Sequence, residues 1–408
     1  MKSLGVLWLV VFISLLGFGI TAIPFPIVAE QLGASNFWKT FGGAGVFSVF
    51  QLISTPLWGR YSDALGRKPI LIMSLFGSVL AYLWLAYADT LLSLLLARAL
   101  GGAMSGNLAA AFAYATDVTE PKNRARGLGI VSSAFGLGFA VGPPLGGFLG
   151  TNADGSATLH DPALASAVLA VVALLGTLFL LNESLPPALR KPLGRVALPA
   201  ASPATNRSPF AVLVGNPVLV RLMIAALVVA IGGTVMQSVY QFWGRDLFGL
   251  SLKDVGIQFM VFAVLSATGQ AGLVGPLARR FGEKKVALLA TVGATIGLLL
   301  FGIATQQWLV WIALMVLGVS LGVFTPSVTS LVSFQADPRQ RGAVMGAFNS
   351  ASSLGRIVGP ALAGPIYFSF GHSAPFLAAA VLTAIGAFLL IQVNAQSATP
   401  PASGPAAR

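Results

Sequence analysis

Apolar stretches of about twenty residues recur from one end of the chain to the other, parted by short polar turns. They predict spans at 5–28, 38–58, 70–88, 91–115, 126–149, 163–182, 217–243, 254–277, 285–305, 308–332, 343–369 and 374–394. Each is long enough to cross a hydrocarbon core of about 30 Å as a helix. Alternating segments of about ten residues, the mark of a membrane β-barrel, do not occur. The first stretch, MKSLGVLWLVVFISLLGFGITAIPFP, exceeds the apolar region of a typical signal peptide, and no small-x-small cleavage site follows cleanly. It is read as the first span. The expected fold class is therefore an all-α polytopic membrane protein, with twelve transmembrane helices in two six-helix bundles.

Composition agrees with this pattern. Only 9% of the residues are charged and 56% are hydrophobic, against roughly a quarter charged in a soluble domain. The net charge of +12 invites a nucleic-acid reading, but the positions of the cations answer it. With the N-terminus inside, 18 of the 24 lysines and arginines fall in expected cytoplasmic segments. Lys39, Arg245 and Lys253 fall outside, and Arg98, Arg221 and Arg356 lie within spans. That asymmetry is the positive-inside rule. It predicts a multi-pass protein of the inner (plasma) membrane with both termini cytoplasmic, the lipid bilayer as its surroundings and no nucleic acid as partner. A monomer is the expected state.

The only long turn is SLPPALRKPLGRVALPAASPATNRSPF, rich in Pro, Ala and Ser, and it reads as a flexible linker. It divides the chain into a six-helix bundle at 1–183, a linker at 184–216, a second bundle at 217–394 and a tail at 395–408. The halves repeat. At a shift of 217 positions, residues 121–147 lie on 338–364, and Gly129, Ser133, Gly138, Gly142, Pro143 and Gly147 meet identical residues. At a shift of 216, Gly59 and Gly66 meet Gly275 and Gly282, and Glu30 meets Asp246. An even number of spans per half makes the repeat parallel, which points to two bundles rocking around a midplane site.

No cysteine is present, so disulfides and thiolate chemistry are excluded. His160 and His372 fall in short expected outer loops. No acid, base or metal constellation gathers at one depth, so neither an enzyme nor a cofactor is expected. No ATP-binding motif occurs: the glycines of GLGFAVGPPLGG sit in a span without the Gly-Lys-Ser/Thr ending of a phosphate loop. Instead they permit close helix approach, while Pro143 and Pro144 remove backbone donors and favour a bend.

None of the twelve acids lies at mid-depth in a span. A protein that exchanges protons for cargo needs a group that titrates as its access alternates. The candidates are Asp117 at the inner end of span four, Asp63, and the outer-end pair Glu30 and Asp246, which read equally well as solvated end charges. Arg98 and Arg356 are embedded, so each is expected to face a wet cavity or acceptors. They either contact cargo or tie helices together. Thr234, Gln237 and Gln241 share one helical face. Gln51, Asn107, Gln270 and Asn349 join them in marking a cavity. Gln51, Asn107, Gln237, Gln241, Asn349 and Arg356 make the candidate substrate-binding set, interhelical glue being as good a reading for about half of the neutral residues. Phe18, Phe25, Phe112, Phe135, Tyr240, Phe242 and Phe324 suggest either an aromatic wall or ordinary packing.

Four motifs in order on the right spans resemble the major facilitator superfamily over essentially the whole chain. GRYSDALGRKP is similar to its loop 2–3 signature, Arg98 with Gly101 and Gly102 to its span-four arginine motif, GLGFAVGPPLGG to its span-five motif of proton-coupled antiporters, and AIPFP to its span-one proline motif. Within the superfamily, FQLISTPLWGRYSDALGRKPIL resembles the tetracycline antiporter-like branch of drug:proton antiporters. The resemblance implies multidrug efflux and antibiotic resistance, with a small-molecule substrate, protons as coupling ion and no cofactor. It also implies gating or coupling roles for Gly59, Asp63, Gly66, Arg67, Lys68, Arg98, Asp117, Gly142 and Pro143. Asp63 would approach the start of span eleven at 343–346, where the helix dipole favours an anion, and Arg67 would pair with Asp117 to staple the bundles. The chain departs from the branch at Ser14 and Ala81, where intramembrane acids are expected, and span eight carries no His. An exporter or permease for sugars or other metabolites is the alternative.

Overall fold

The computed structural model describes residues 2–105, 107–120, 124–190, 216–336 and 341–393; the side chains of 2–3, 107–108, 124–129, 132, 135 and 341–343 lie outside that description. Most of the expected linker 184–216 and the tail 395–408 lie outside it too. The described chain is almost wholly helical. Span one is Lys2–Ala22 and Phe25–Gln31. Span two is Asn36–Thr40, a π-helical turn Phe41–Gly45, and Val46–Leu65. Span three is Arg67–Ala86, span four Leu91–Met104 and Asn107–Asp117, span five Arg124–Leu149 and span six His160–Leu180. In the second half the helical runs are Pro217–Phe248, Leu252–Phe281 with a π-helical turn at Gly269–Leu273, Glu283–Ile303, Gln307–Gln335, Arg341–Phe370 and Ala374–Ile391. Every expected span falls on one of these runs.

Among the described residues nine runs are long and apolar enough to cross a membrane, and Gly136–Leu149 is a shorter apolar helix. Helices suit this solvent because they satisfy their own backbone donors and acceptors where no water is available. Breaks come where the sequence removes that ladder. Span one parts at Ile23 and Pro24, with Pro26 in the first turn of the continuing helix. The turns after spans two and eight are made by Gly66, at φ +110°, and Gly282, at φ +77°. Those two repeat-related glycines adopt backbone that an L side chain rarely takes.

Large apolar side chains face outward as well as inward: span three buries Ile70, Leu71, Leu75 and Leu85 and still presents others to its surroundings. On span three, Met73, Phe76, Leu80, Leu83 and Trp84 are exposed, while Ser74, Gly77 and Ala81 are buried. Large apolar groups face outward as they would toward lipid, and small ones let neighbouring backbones close up.

The chain divides into two compact units. The first comprises Met1–Ala197, Val235–Val264 and Arg356–His372, and the second Leu198–Thr234, Leu265–Gly355 and Ser373–Arg408. In the first, one core gathers Leu7, Val11, Ile70, Leu71, Tyr114 and Val131, and another Phe25, Ala29, Leu85, Leu94 and Ala163. In the second, Leu222, Ala226, Ala287, Val328, Leu331 and Leu390 form the core. The Thr295 hydroxyl donates to Thr383 at 3.0 Å, and Arg221 donates to the Gln392 carbonyl at 3.2 Å.

Candidate functional site

Three polar sites are built into the first unit, two at opposite ends of its helices and one between them. The first stands where span two turns into span three. Arg67 opens its helix nearly buried and is held from three sides. Its Nη1 donates to Asp63 Oδ1 at 2.6 Å and to Ser62 Oγ at 3.0 Å, and its Nε donates to Asp117 Oδ2 at 3.1 Å. Ser184 adds a hydroxyl to the same Asp117 oxygen at 3.1 Å. The Arg67–Asp117 pair ties span three to span four. Both residues belong to the first half of the chain, so this pair does not staple the two sequence halves together.

Glu183, just beyond span six, completes this end. Its carboxylate accepts from the backbone amides of Arg67 at 2.9 Å and Lys68 at 3.2 Å, and from those of Ser184 and Leu185 at 2.9 Å each. A carboxylate at a helix N-terminus satisfies orphan amides and meets the positive end of the dipole. The same carboxylate occupies the space a Cβ at Gly66 would take, so Gly66 is required twice, by backbone angle and by room. Lys68 Nζ donates to the Leu178 carbonyl at 2.8 Å. Gly59 is not crowded in the same way. A Cβ there would meet nothing within 4 Å, so no close helix approach depends on it.

The second cluster sits at the far end of the same helices. Glu30 accepts from Lys39 Nζ at 2.9 Å and from Arg245 Nη1 at 2.6 Å. Arg245 Nε also meets Asp246 Oδ1 at 3.0 Å, and the Tyr367 hydroxyl donates to Asp246 Oδ2 at 2.9 Å. Glu30 and Asp246 are therefore paired end charges, not merely solvated ones. Their partners come from both halves of the sequence. Beside them Thr40, 3% exposed, donates to the Pro360 carbonyl at 2.8 Å, and Gly364 closes on the Asn36 carbonyl.

The third site surrounds Arg98, about seven residues or roughly 10 Å into span four. The side chain is 3% exposed and lies on a cavity of about 40 Å³ lined by Ser14, Ser78, Ala81, Tyr82 and Ser105 among others. Its Nη1 donates to the Thr21 hydroxyl at 3.0 Å, and the rings of Phe25 and Phe18 stand 5.1 and 5.7 Å from the guanidinium carbon. Ser14 and Ala81, where the resemblance led us to expect acids, both line this cavity.

The Gly-Pro segment of span five packs on two sides. Against span one, a Cβ on Gly142 would lie 2.8 Å from the Gly19 Cα and 3.0 Å from the Leu16 carbonyl oxygen. On the other side, a Cβ on Gly256 would lie 2.8 Å from the Pro143 carbonyl oxygen. The candidate substrate-binding residues differ in exposure. Gln241 is buried, whereas Gln237, Asn349 and Arg356 are exposed. The Gln51 carbonyl accepts from Thr55 at 2.6 Å, and the side chain of Asn107 lies outside the described residues. Thr234 donates to the Ala230 and Gly355 carbonyls at 2.8 and 3.1 Å. Phe25, Tyr240, Phe242 and Phe324 are core residues rather than a wall, and the Tyr240 hydroxyl is held by Gln258 at 2.8 Å.

Sequence reasoning missed Glu183, Thr21, Ser62, Ser184 and Tyr367. Glu183 left one legible sign, as an acid at the inner end of span six, level with the turn after span two. The others are ordinary hydroxyls with no local mark.

The sequence profile of the Major Facilitator Superfamily matches residues 7–274 and 246–407. The chain belongs to the Major Facilitator Superfamily. As a member of that superfamily it is a multi-pass membrane transporter and not an enzyme. It is similar to the class C tetracycline resistance protein of Escherichia coli, 32% identical over 322 residues, covering 79% of this chain and 78% of that protein. It is also similar to multidrug resistance protein 2 of Bacillus subtilis (strain 168), at 27% identity over 92% of this chain and 91% of that protein. Among solved structures, the human organic anion transporter MFSD10 (TETRAN) superposes with a TM-score of 0.71 at 25% identity, covering 95% of this chain and 99% of that one. A bacterial homologue of the lysosomal transporter Spinster shares the fold, with a TM-score of 0.78 at 16% identity over 98% of each chain.

Proposed function

We propose that this superfamily member is a proton-coupled exporter of small amphipathic compounds, drugs among them, working by alternating access as a monomer in the inner membrane with both termini cytoplasmic. The observation that carries the reading is the pair of ion clusters at opposite ends of one set of helices, with no acid at mid-depth between them. In this reading the bundles are 1–183 and 217–394, joined by 184–216. The Glu30–Arg245–Asp246–Tyr367 cluster closes the outer side. The loop 59–68 works the inner side, where Asp63 trades its Arg67 contact for the start of span eleven at 343–346. Protonating Glu30, Asp246, Asp63 or Asp117 weakens the cluster it belongs to, which links proton uptake to opening. The tetracycline and multidrug resistance relatives support the drug class, and the organic anion transporter extends it to anionic cargo.

Everted vesicles test the reading directly. An imposed proton gradient should drive accumulation of a cationic dye or an antibiotic, and Asp63→Asn should lower the rate at least about tenfold with expression unchanged. Absence of any proton-dependent accumulation, with stabilisation of the purified protein by sugars alone, would establish the metabolite permease instead.

The outer closure is tested separately. The chain has no cysteine, so Thr40→Cys reports the sealed end without background. Adding Arg245→Gln should speed labelling by an impermeant maleimide about three- to tenfold, the factor that roughly 1 kcal/mol of a half-exposed ion network carries. An unchanged rate would remove this cluster from gating.

A further inference from the structure

The cavity at Arg98 holds a cation that no acid among the described residues balances. Two of its nitrogens, Nε and Nη2, are buried and have no hydrogen-bond partner. Those two atoms form one edge of the planar guanidinium, the parallel fork that matches the two oxygens of a carboxylate. Thr21 takes only Nη1, on another side. The two phenyl faces offer weak attraction and no acceptor. No ion pair joins Arg98 to an acid among the described residues, and no acid lines its cavity. Nor can the group escape by losing its proton, since a guanidinium stays charged in proteins. A buried, unpaired cation of this kind is expensive.

Water would satisfy the fork as an acceptor but would leave the charge. The cavity of about 40 Å³ exceeds the roughly 10–15 Å³ of such space that one water needs, and suits a small head group. Of the hydroxyls on its wall, those of Ser14, Ser78 and Ser105 donate to the Val10, Ser74 and Gly102 carbonyls at 2.9, 2.9 and 2.7 Å and would have to turn to meet an anion, while the Tyr82 phenol also lines the space. From the orientation of the free edge, the absence of any internal acid and the size of the space, we infer that Arg98 is a binding site for a carboxylate group, held bidentately by Nε and Nη2. The site as such stands apart from transport. It deepens the exporter reading by naming a head group for the cargo, and rests on that reading only for the step from bound to carried.

Thermal unfolding of the purified full-length protein, titrated at constant ionic strength, tests it with four probes: sodium acetate, sodium benzoate, sodium chloride and neutral acetamide. The carboxylates should raise the midpoint along a saturating curve, whereas chloride and acetamide should not. Arg98→Gln should weaken the apparent Kd at least tenfold. Ser14→Asp, which supplies a carboxylate from the wall itself, should do the same while the protein stays folded. Arg98→Lys keeps the charge without the fork and should also lose most of the response. These last two variants carry the test if Arg98→Gln does not fold. A response to acetate and benzoate alike marks a site for any free carboxylate, and a response to benzoate alone marks the head group of an amphipathic cargo. A response shared equally by chloride, one retained in Ser14→Asp, or none at all overturns the site. Carboxylate binding without any transport in vesicles would sink the exporter reading and leave the site standing.

Discussion

Gly142→Leu is expected to abolish transport and to lower the yield of folded protein, because the position has no room for even one methyl group. A Cβ would sit 2.8 Å from the Gly19 Cα, 3.0 Å from the Leu16 carbonyl oxygen and 3.1 Å from the Gly19 carbonyl carbon. All three are backbone atoms, which cannot rotate away as a side chain can, so spans one and five must separate. Alanine alone should remove about 1–3 kcal/mol by overpacking, and leucine more. The close approach continues along the helix, with Gly138 on Leu15 and Leu16 and Gly146 on the Ile20 carbonyl. In lipid the drive to associate is packing and not water exclusion, so a lost fit is not made up by the solvent. Gly256→Leu separates the two effects. It breaks the approach of Leu252–Thr268 to Pro143 and Pro144 and leaves spans one and five alone. That variant should keep its melting temperature closer to wild type and still fail to transport. Gly176→Leu is the control, since a Cβ there meets nothing within 4 Å. Wild-type melting and transport in Gly142→Leu would show that the crossing is dispensable.

The same segment shows what a sequence makes legible. Small residues and prolines at fixed spacing are local signals, so close packing at 136–147 could be read before any neighbour was known. Span positions were legible for a similar reason, since hydrocarbon thickness sets a length that composition reveals directly. The positive-φ turns at Gly66 and Gly282 fell on residues already matched by the internal repeat. Partners were another matter. Arg245 meets Glu30 across 215 positions, and the Arg67 amide meets Glu183 across 116. Nothing local to an exposed-looking acid at a span end distinguishes a paired charge from a solvated one, and the plainer reading failed at Glu30 and Asp246. Gln237 and Gln241 show the converse limit. Their spacing places them on one helical face, yet one is exposed and the other buried, because burial depends on what packs at each height. At Arg98 the sequence showed an embedded cation and a chain without mid-depth acids. Which edge of the guanidinium is left open is a matter of side-chain geometry that no spacing encodes.

Arg67→Gln should reduce transport by at least about tenfold and destabilise the protein, and the companion variants show why both effects follow. Arg67 is 9% exposed and is shared by Asp63 and Asp117 at 2.6 and 3.1 Å. Removing it leaves the Asp63 and Asp117 carboxylates in one half-buried space without the cation they share, while Asp117 keeps the Ser184 hydroxyl. Breaking a pair by deleting one member is far worse than deleting both, since the survivor keeps its desolvation penalty without compensation. Asp117→Asn in the Arg67→Gln background should therefore recover melting temperature relative to Arg67→Gln alone, giving a coupling of about 1–3 kcal/mol in a double-mutant cycle. Transport should not recover with it if the proposed gating holds, because the neutral pair restores packing and hydrogen bonding but removes the Arg67 charge that Asp63 is proposed to trade away. Arg67→Lys sharpens the distinction. It keeps the charge but not the fork that serves two acids at once, so it should hold stability better than transport. Additive losses across the cycle would mean that Arg67 and Asp117 act independently. Recovery of both stability and transport in the double variant would reduce the cluster to a structural tie between spans three and four.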